Sequence, residues 1–303
     1  MTQIVRSLVG GFLMGAADLV PGVSGGTIAL VIGIYERLIG SIKEGSSALG
    51  ALIKGSWNGF KEHLGLVEWL FLVPLLVGIL TAVVSLASLL EHQLETNPTI
   101  MAGAFFGLVL GSVLIAWRLV KEPRVMHYVI GAVVGVVLFI SLGLGEETTV
   151  SDPSLLVFFL SGALAICAMI LPGISGSLIL LLIGMYPAVL GAVNDRDLAA
   201  VGVFVLGAIV GLAFFSQVLH WALARHHDVV LAGLVGLMAG SLRVLWPWPE
   251  GVESSALGTP GDDVVAVVIA AGIGLVLVYV ISFLATGREN VSEPQPISGR
   301  SVS

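Results

Sequence analysis

Residues 21–36 (PGVSGGTIALVIGIYE) align without gaps to residues 172–187 (PGISGSLILLLIGMYP), matching at nine of sixteen positions. Each copy sets a Pro-Gly break inside an apolar region, 8–35 in the first case and 155–186 in the second. The break leaves two halves too short to cross a hydrocarbon core of about 30 Å. An internal repeat of this kind constrains the fold strongly, because one physical account has to serve both copies. A second echo is weaker: Gly107, Gly111, Ser112 and Trp117 correspond to Gly236, Gly240, Ser241 and Trp246, at an offset of 129 instead of 151. The 22-residue difference comes from segment 36–64, where the second half has only the loop Asn194-Asp195-Arg196-Asp197.

Six further segments, 66–90, 99–118, 126–144, 198–224, 229–246 and 264–284, are apolar and long enough to span as helices. With 57% hydrophobic and 11% charged residues, the chain has too little polar surface for a water-soluble globule. That excludes a soluble enzyme or a nucleic-acid binder. The single cysteine, Cys167, allows neither an intrachain disulfide nor a cysteine-based metal cluster. The first apolar region is interrupted by Asp18 and Pro21, so it reads as mature structure and not as a signal peptide.

Lys and Arg placement gives the topology. If both broken elements are re-entrant hairpins and the N-terminus is cytoplasmic, eleven of the thirteen basic residues fall inside; only Arg196 and Arg243 face outward. If both elements cross, the better orientation gives nine against four. The expected fold class is therefore an all-α polytopic membrane protein built as an inverted repeat, each half one re-entrant helical hairpin plus three transmembrane helices. Its transmembrane domain covers 1–286, with repeat one at 1–145 and repeat two at 150–286. Within 36–64, Leu38, Ile42, Leu49, Ile53, Trp57, Phe60 and Leu64 recur at helical spacing between lysines, as in a cytoplasmic interfacial helix. Residues 287–303 are polar and aperiodic, and read as a disordered cytoplasmic tail.

A Gly-rich break opening a helix directs several N–H groups, and the positive end of the helix dipole, at one point. That chemistry suits an anion. In the first copy Gly22, Gly25 and Gly26 let an anion approach the backbone while Ser24 and Thr27 add hydroxyls; Gly173, Ser175, Gly176 and Ser177 repeat the device. The alternative is that these glycines only let helices turn and pack. Asp18 is the sole acid in the first broken element, where an ionised carboxylate costs about 2.5 to 3.5 kcal/mol on insertion scales. It caps the following half-helix, takes up and releases a proton coupled to transport, or orients the anion site, and its repeat partner is Met169. Glu36, Arg118 and Arg243 are candidates for coupling or gating; either arginine could instead snorkel to an interface. Gln217 and His220, on one helix, read as interhelical hydrogen-bonding groups.

Two enzyme readings compete. Gly-x-Ser-Gly at 22–25 and 173–176 resembles the motif of rhomboid intramembrane proteases, but no histidine is obviously paired with either serine as a general base. The Pro-Gly-x-Ser element is similar to that of polyprenyl-pyrophosphate phosphatases, which place an arginine where Gly25 and Gly176 stand, and whose Glu-rich motif is matched here only by Glu146-Glu147 in a loop. Neither is favoured, and no catalytic residue, metal or cofactor is expected.

Over residues 1 to about 285 the chain resembles the polyprenyl-phosphate transporter family, PopT. The resemblance rests on Gly15-Ala16-Ala17-Asp18, residues 21–27, Gly33-Ile34-Tyr35-Glu36, residues 172–177 and Gly184-Met185-Tyr186. It implies a multi-pass flippase of the cytoplasmic membrane that returns a long isoprenoid monophosphate, such as undecaprenyl phosphate, from the outer to the cytoplasmic leaflet for reuse in envelope glycan synthesis. Its expected partners are that lipid and the surrounding membrane lipids; proton coupling is one of the roles that the residues themselves leave open for Asp18. A small-anion transporter or channel is the rival that the residues alone leave open.

Overall fold

Twelve helices form among the described residues of the computed structural model, which are 3–20, 22–144, 150, 152–248 and 257–286. The expected tail at 287–303, Pro21 and Glu146-Glu147 lie outside that set. In chain order the helices are α1 (Gln3–Asp18), α2 (Gly25–Val31), α3 (Tyr35–Ile53), α4 (Trp57–Leu66), α5 (Trp69–Thr96), α6 (Pro98–Trp117), α7 (Val125–Gly143), α8 (Leu155–Ile170), α9 (Gly176–Leu182), α10 (Tyr186–Asn194), α11 (Leu198–Ser241) and α12 (Val264–Thr286). Five of them, α5, α6, α7, α11 and α12, are long and apolar enough to cross a membrane. The chain is a multi-pass all-α membrane protein.

The 44-residue α11 covers two of the expected spans and has a non-helical backbone at His226 (φ −135°, ψ 45°). It folds back on itself there. The Cys167 sulfur lies 3.7 Å from the Gly211 carbonyl, and Gly173 packs on the Met238 backbone. In a straight helix residues 211 and 238 would be about 40 Å apart, whereas the six residues from 167 to 173 reach at most about 21 Å. The two arms of α11 therefore run in opposite directions and choose different partners, α8 for the first and α7 for the second.

Glycine stripes set these partnerships. Without a hydrophobic driving force between helices in lipid, close backbone approach at small residues is what holds a pair. Gly11, Gly15 and Gly78 join α1 to α5; Gly162, Gly207 and Gly211 join α8 to the first arm of α11. Gly103, Gly107 and Gly274 join α6 to α12, and Gly131, Gly135, Gly236 and Gly240 join α7 to the second arm of α11. All four pairs run parallel. A Cβ on Gly207 would overlap the Phe159 carbonyl, while Gly202 on the same helix has nothing within 4 Å. Gly207→Leu should therefore cost about 3 kcal/mol or more and Gly202→Leu close to nothing. Thermal melting in detergent checks this, and equal melting temperatures would refute the packing assignment.

Both broken elements turn back on themselves. Gly25 sits against Asp18, and Gly10 faces Ile32 and Ile34, so α2 returns along α1; Gly176 sits against Ala165, so α9 returns along α8. At the far end α9 and α10 meet at 112°, which puts a helix where the sequence suggested only a short loop. Segment 36–64 likewise forms two helices, separated at Gly55 (φ 72°). Its expected apolar stripe is not the packed face. Ile39, Ser41 and Ala48 are buried, Ser46 meets Ser216 of α11 at 3.4 Å, and Ile53 and Trp57 are 79% and 57% exposed. The small residues Ser41, Ser46 and Ala48 let α3 approach its neighbours, while Ile53 and Trp57 stay exposed. Gln217 is exposed, donates to Ala213 of its own helix at 3.0 Å and forms no interhelical bond among the described residues.

Candidate substrate site

The N-terminus of α2 is closed by two side chains. Asp18 accepts from the Gly25 N–H at 2.6 Å and Ser24, the N-cap, accepts from the Gly26 N–H at 3.1 Å. A carboxylate there is favoured by the positive end of the helix. A Cβ on Gly25 would lie 2.6 Å from the Asp18 carboxylate, so a larger residue there would push this cap aside. In the second copy Ser175 caps α9 by accepting from the Leu178 N–H at 3.2 Å, and its hydroxyl lies 3.2 Å from that of Ser177. No carboxylate caps this copy, Met169 standing where Asp18 stands in the first.

The two tips touch. The Ser24 hydroxyl reaches the Met169 and Leu171 carbonyls, both at 3.4 Å, and the Tyr35 hydroxyl donates to the Ile170 carbonyl at 3.3 Å. The last carbonyls of a helix have no partner within it, so those at the end of α8 are met by hydroxyls of the first hairpin. In return the Gly173 N–H donates to the Thr27 hydroxyl at 2.9 Å. Gly22 packs on Val244 and Leu245, just beyond α11.

Of the residues expected to hold an anion, Gly22, Ser24, Gly25, Gly26, Thr27 and Gly173 are buried in or beside this contact. Gly176 and Ser175 are half-buried, and Ser177 is exposed. The copies are thus unequal: the hydroxyls of the first are engaged with the second, and only the second presents hydroxyls outward. Tyr35 joins the contact beyond the residues expected from the Gly-Ser breaks, and its match to Tyr186 in the repeat is the sequence signal for it.

Of the expected gating residues, Asp18 lies in the tip contact. Glu36, 62% exposed, lies 2.9 Å from His227, which lies 2.9 Å from Asp228. Asp228 also accepts from the backbone of Glu122 and Lys121, so this cluster ties α3, the bend in α11 and the α6–α7 turn together. His227 and those amides hold the Asp228 carboxyl down at about 2. The Arg118 guanidinium stands 5.5 Å over the Tyr279 ring and that of Arg243 4.9 Å over Phe139.

A family model described as "VCA0040-like: Undecaprenyl phosphate translocase-like" matches residues 14–260. The chain belongs to this family. It is 43% identical over 262 residues to a polyprenyl-phosphate transporter of Vibrio cholerae, covering 84% of this chain and 81% of that protein. To a polyprenyl-phosphate transporter of Staphylococcus aureus it is 32% identical over 261 residues, covering 80% and 86%. No solved structure matches it. The chain is therefore an α-helical polytopic membrane transporter of the VCA0040-like family, and the matched region contains both hairpin tips.

Proposed function

We propose that this transporter returns polyprenyl phosphate, such as undecaprenyl phosphate, from the outer to the cytoplasmic leaflet, with the headgroup passing between the two hairpin tips. The observation that carries this reading is the tip contact itself, a patch of hydroxyls and amides from both Pro-Gly breaks inside an apolar bundle. Flipping the lipid requires only that the phosphate be shielded, because its tail stays in hydrocarbon. Neutral donors can do this without a fixed positive charge that would trap the phosphate.

In this reading residues 1–145 and 150–286 are inverted repeats, 36–64 lies at the cytoplasmic interface, and the cytoplasmic tail begins at 287. Helix pairing supports it. The α1–α5 pair corresponds to α8 with the first arm of α11, and the α6–α12 pair to the second arm of α11 with α7, as expected when two halves exchange roles. In a Cys167→Ala background, single cysteines at Gly45 and Asp262 should react from opposite faces, Gly45 from the cytoplasm. Labelling from one face would refute the arrangement.

Ser24→Ala and Ser175→Ala each remove a hydroxyl from the proposed path, and the double variant should bind a polyprenyl monophosphate at least about tenfold more weakly. Flipping of labelled lipid in proteoliposomes, with inorganic phosphate uptake measured in parallel, tests the function. Lipid flipping that tracks the serines supports it, and phosphate uptake without lipid flipping would favour a small-anion transporter.

A further inference from the structure

Behind the first hairpin, at the end of α1 away from the tips, lies a cavity of about 700 Å³ between α1, α3, α5 and α12. Its polar lining includes Arg6, Ser7 and Arg37, and its apolar lining includes Leu13, Phe71 and Leu284. Arg6 is about 18 Å along α1 from Asp18, so this is a place distinct from the tip contact.

The donors are unequally committed. The Arg37 guanidinium bonds Glu68 through Nε at 2.8 Å and Nη2 at 2.5 Å, and stacks 4.2 Å over the Phe71 ring. An arginine has five N–H donors, so two bonds leave three for a ligand. Arg6 is exposed and, among the described residues, makes no hydrogen bond or ion pair. Ser7 is only 3% exposed, and its hydroxyl has no partner among them either. The Ser7 hydroxyl lines the cavity, where it can donate to a ligand or water.

We propose that this cavity is a second lipid site, which takes a phosphate monoester on Arg6, Ser7 and the free donors of Arg37 and seats the first isoprenoid units against Leu13, Phe71 and Leu284. Two arginines within apolar walls match a phosphate attached to an apolar tail. Free phosphate would leave those walls uncovered. The proposal rests on the transport reading and deepens it: the cavity is where the headgroup waits at the cytoplasmic leaflet after leaving the tips. Gly10, Ile32 and Ile34 form the wall shared with the hairpin, so an occupied cavity presses on the base of the α1–α2 pair.

The test uses the full chain in lipid nanodiscs and a polyprenyl monophosphate carrying a diazirine in its first isoprene unit. Crosslinked peptides should include residues 3–13. Arg6→Gln should reduce that labelling about tenfold and Ser7→Ala several-fold, with Arg6→Lys recovering most of it. Absence of label in this stretch, equal labelling by the matching polyprenyl alcohol, parent-level labelling of Arg6→Gln, or displacement by millimolar inorganic phosphate would each overturn the site. Transport is measured separately in proteoliposomes. A parent that flips the lipid but leaves residues 3–13 unlabelled overturns only this site, and a parent that does not flip it overturns the transport reading.

Discussion

Gly173→Ala should separate the two hairpin tips and abolish lipid flipping. Gly173 has φ +86°, a left-handed conformation that costs an L-residue about 1–2 kcal/mol. Its Cβ would also lie 2.5 Å from the Met238 Cα, which is backbone and cannot swing aside. The tip would have to move, and with it the Gly173 N–H that donates to Thr27. Together these effects suggest about 3 kcal/mol or more, or a melting temperature lower by roughly 5–10 °C. Gly33→Ala is the comparison: its φ is +77° but nothing lies within 4 Å, so only the backbone term applies. Gly22→Ala should fall between the two, because the nearest atom to its Cβ, at 3.3 Å, belongs to the Val244 side chain. Melting and flipping measured on all three decide the matter. A Gly173→Ala protein that melts with Gly33→Ala and still transports would show that the tip contact is dispensable.

Asp18→Asn should leave a protein that binds and exchanges lipid yet no longer responds to a pH gradient. The amide oxygen can still accept from the Gly25 N–H, so α2 keeps its cap, while the group can no longer gain or lose a proton. We propose that Asp18 picks up a proton as a phosphate dianion arrives beside it, since two anions in one apolar place repel. Proton and lipid then move together, and acid on the outer face drives return of the lipid. Asp18→Ala separates the two roles differently: it also strands the Gly25 N–H, a loss of about 1–3 kcal/mol, so it should melt earlier as well as lose the response. The measurement is flipping in proteoliposomes with and without an imposed gradient. An Asn variant that follows the gradient like the parent would leave Asp18 as a helix cap alone.

How far the sequence reaches differs from residue to residue. Run length and the Pro-Gly breaks located the long apolar helices and the turns at residues 22 and 173, because helix length is set by bilayer thickness and a Gly-rich break by local backbone freedom. Both are properties of neighbouring residues. Gly22 and Gly173, at matching positions of the repeat, do share left-handed turns (φ +80° and +86°).

What a side chain meets was not legible in the same way. Protein-facing and lipid-facing residues are equally apolar, so hydropathy could not tell that α3 packs through Ile39, Ser41 and Ala48 while Ile53 and Trp57 face outward. Ser24 and Thr27 read as free donors until α8 and Gly173, nearly 150 residues away, were brought against them. Arg6 and Arg37, 31 residues apart, share a cavity only because α2 folds back along α1 and α12 closes the side. The sequence by itself determined the lengths, the breaks and the duplication, which are local consequences of bilayer thickness and backbone freedom. Tertiary structure alone decided which hydroxyls are engaged and which cations stand together, because those depend on contacts between segments that carry no mark of each other.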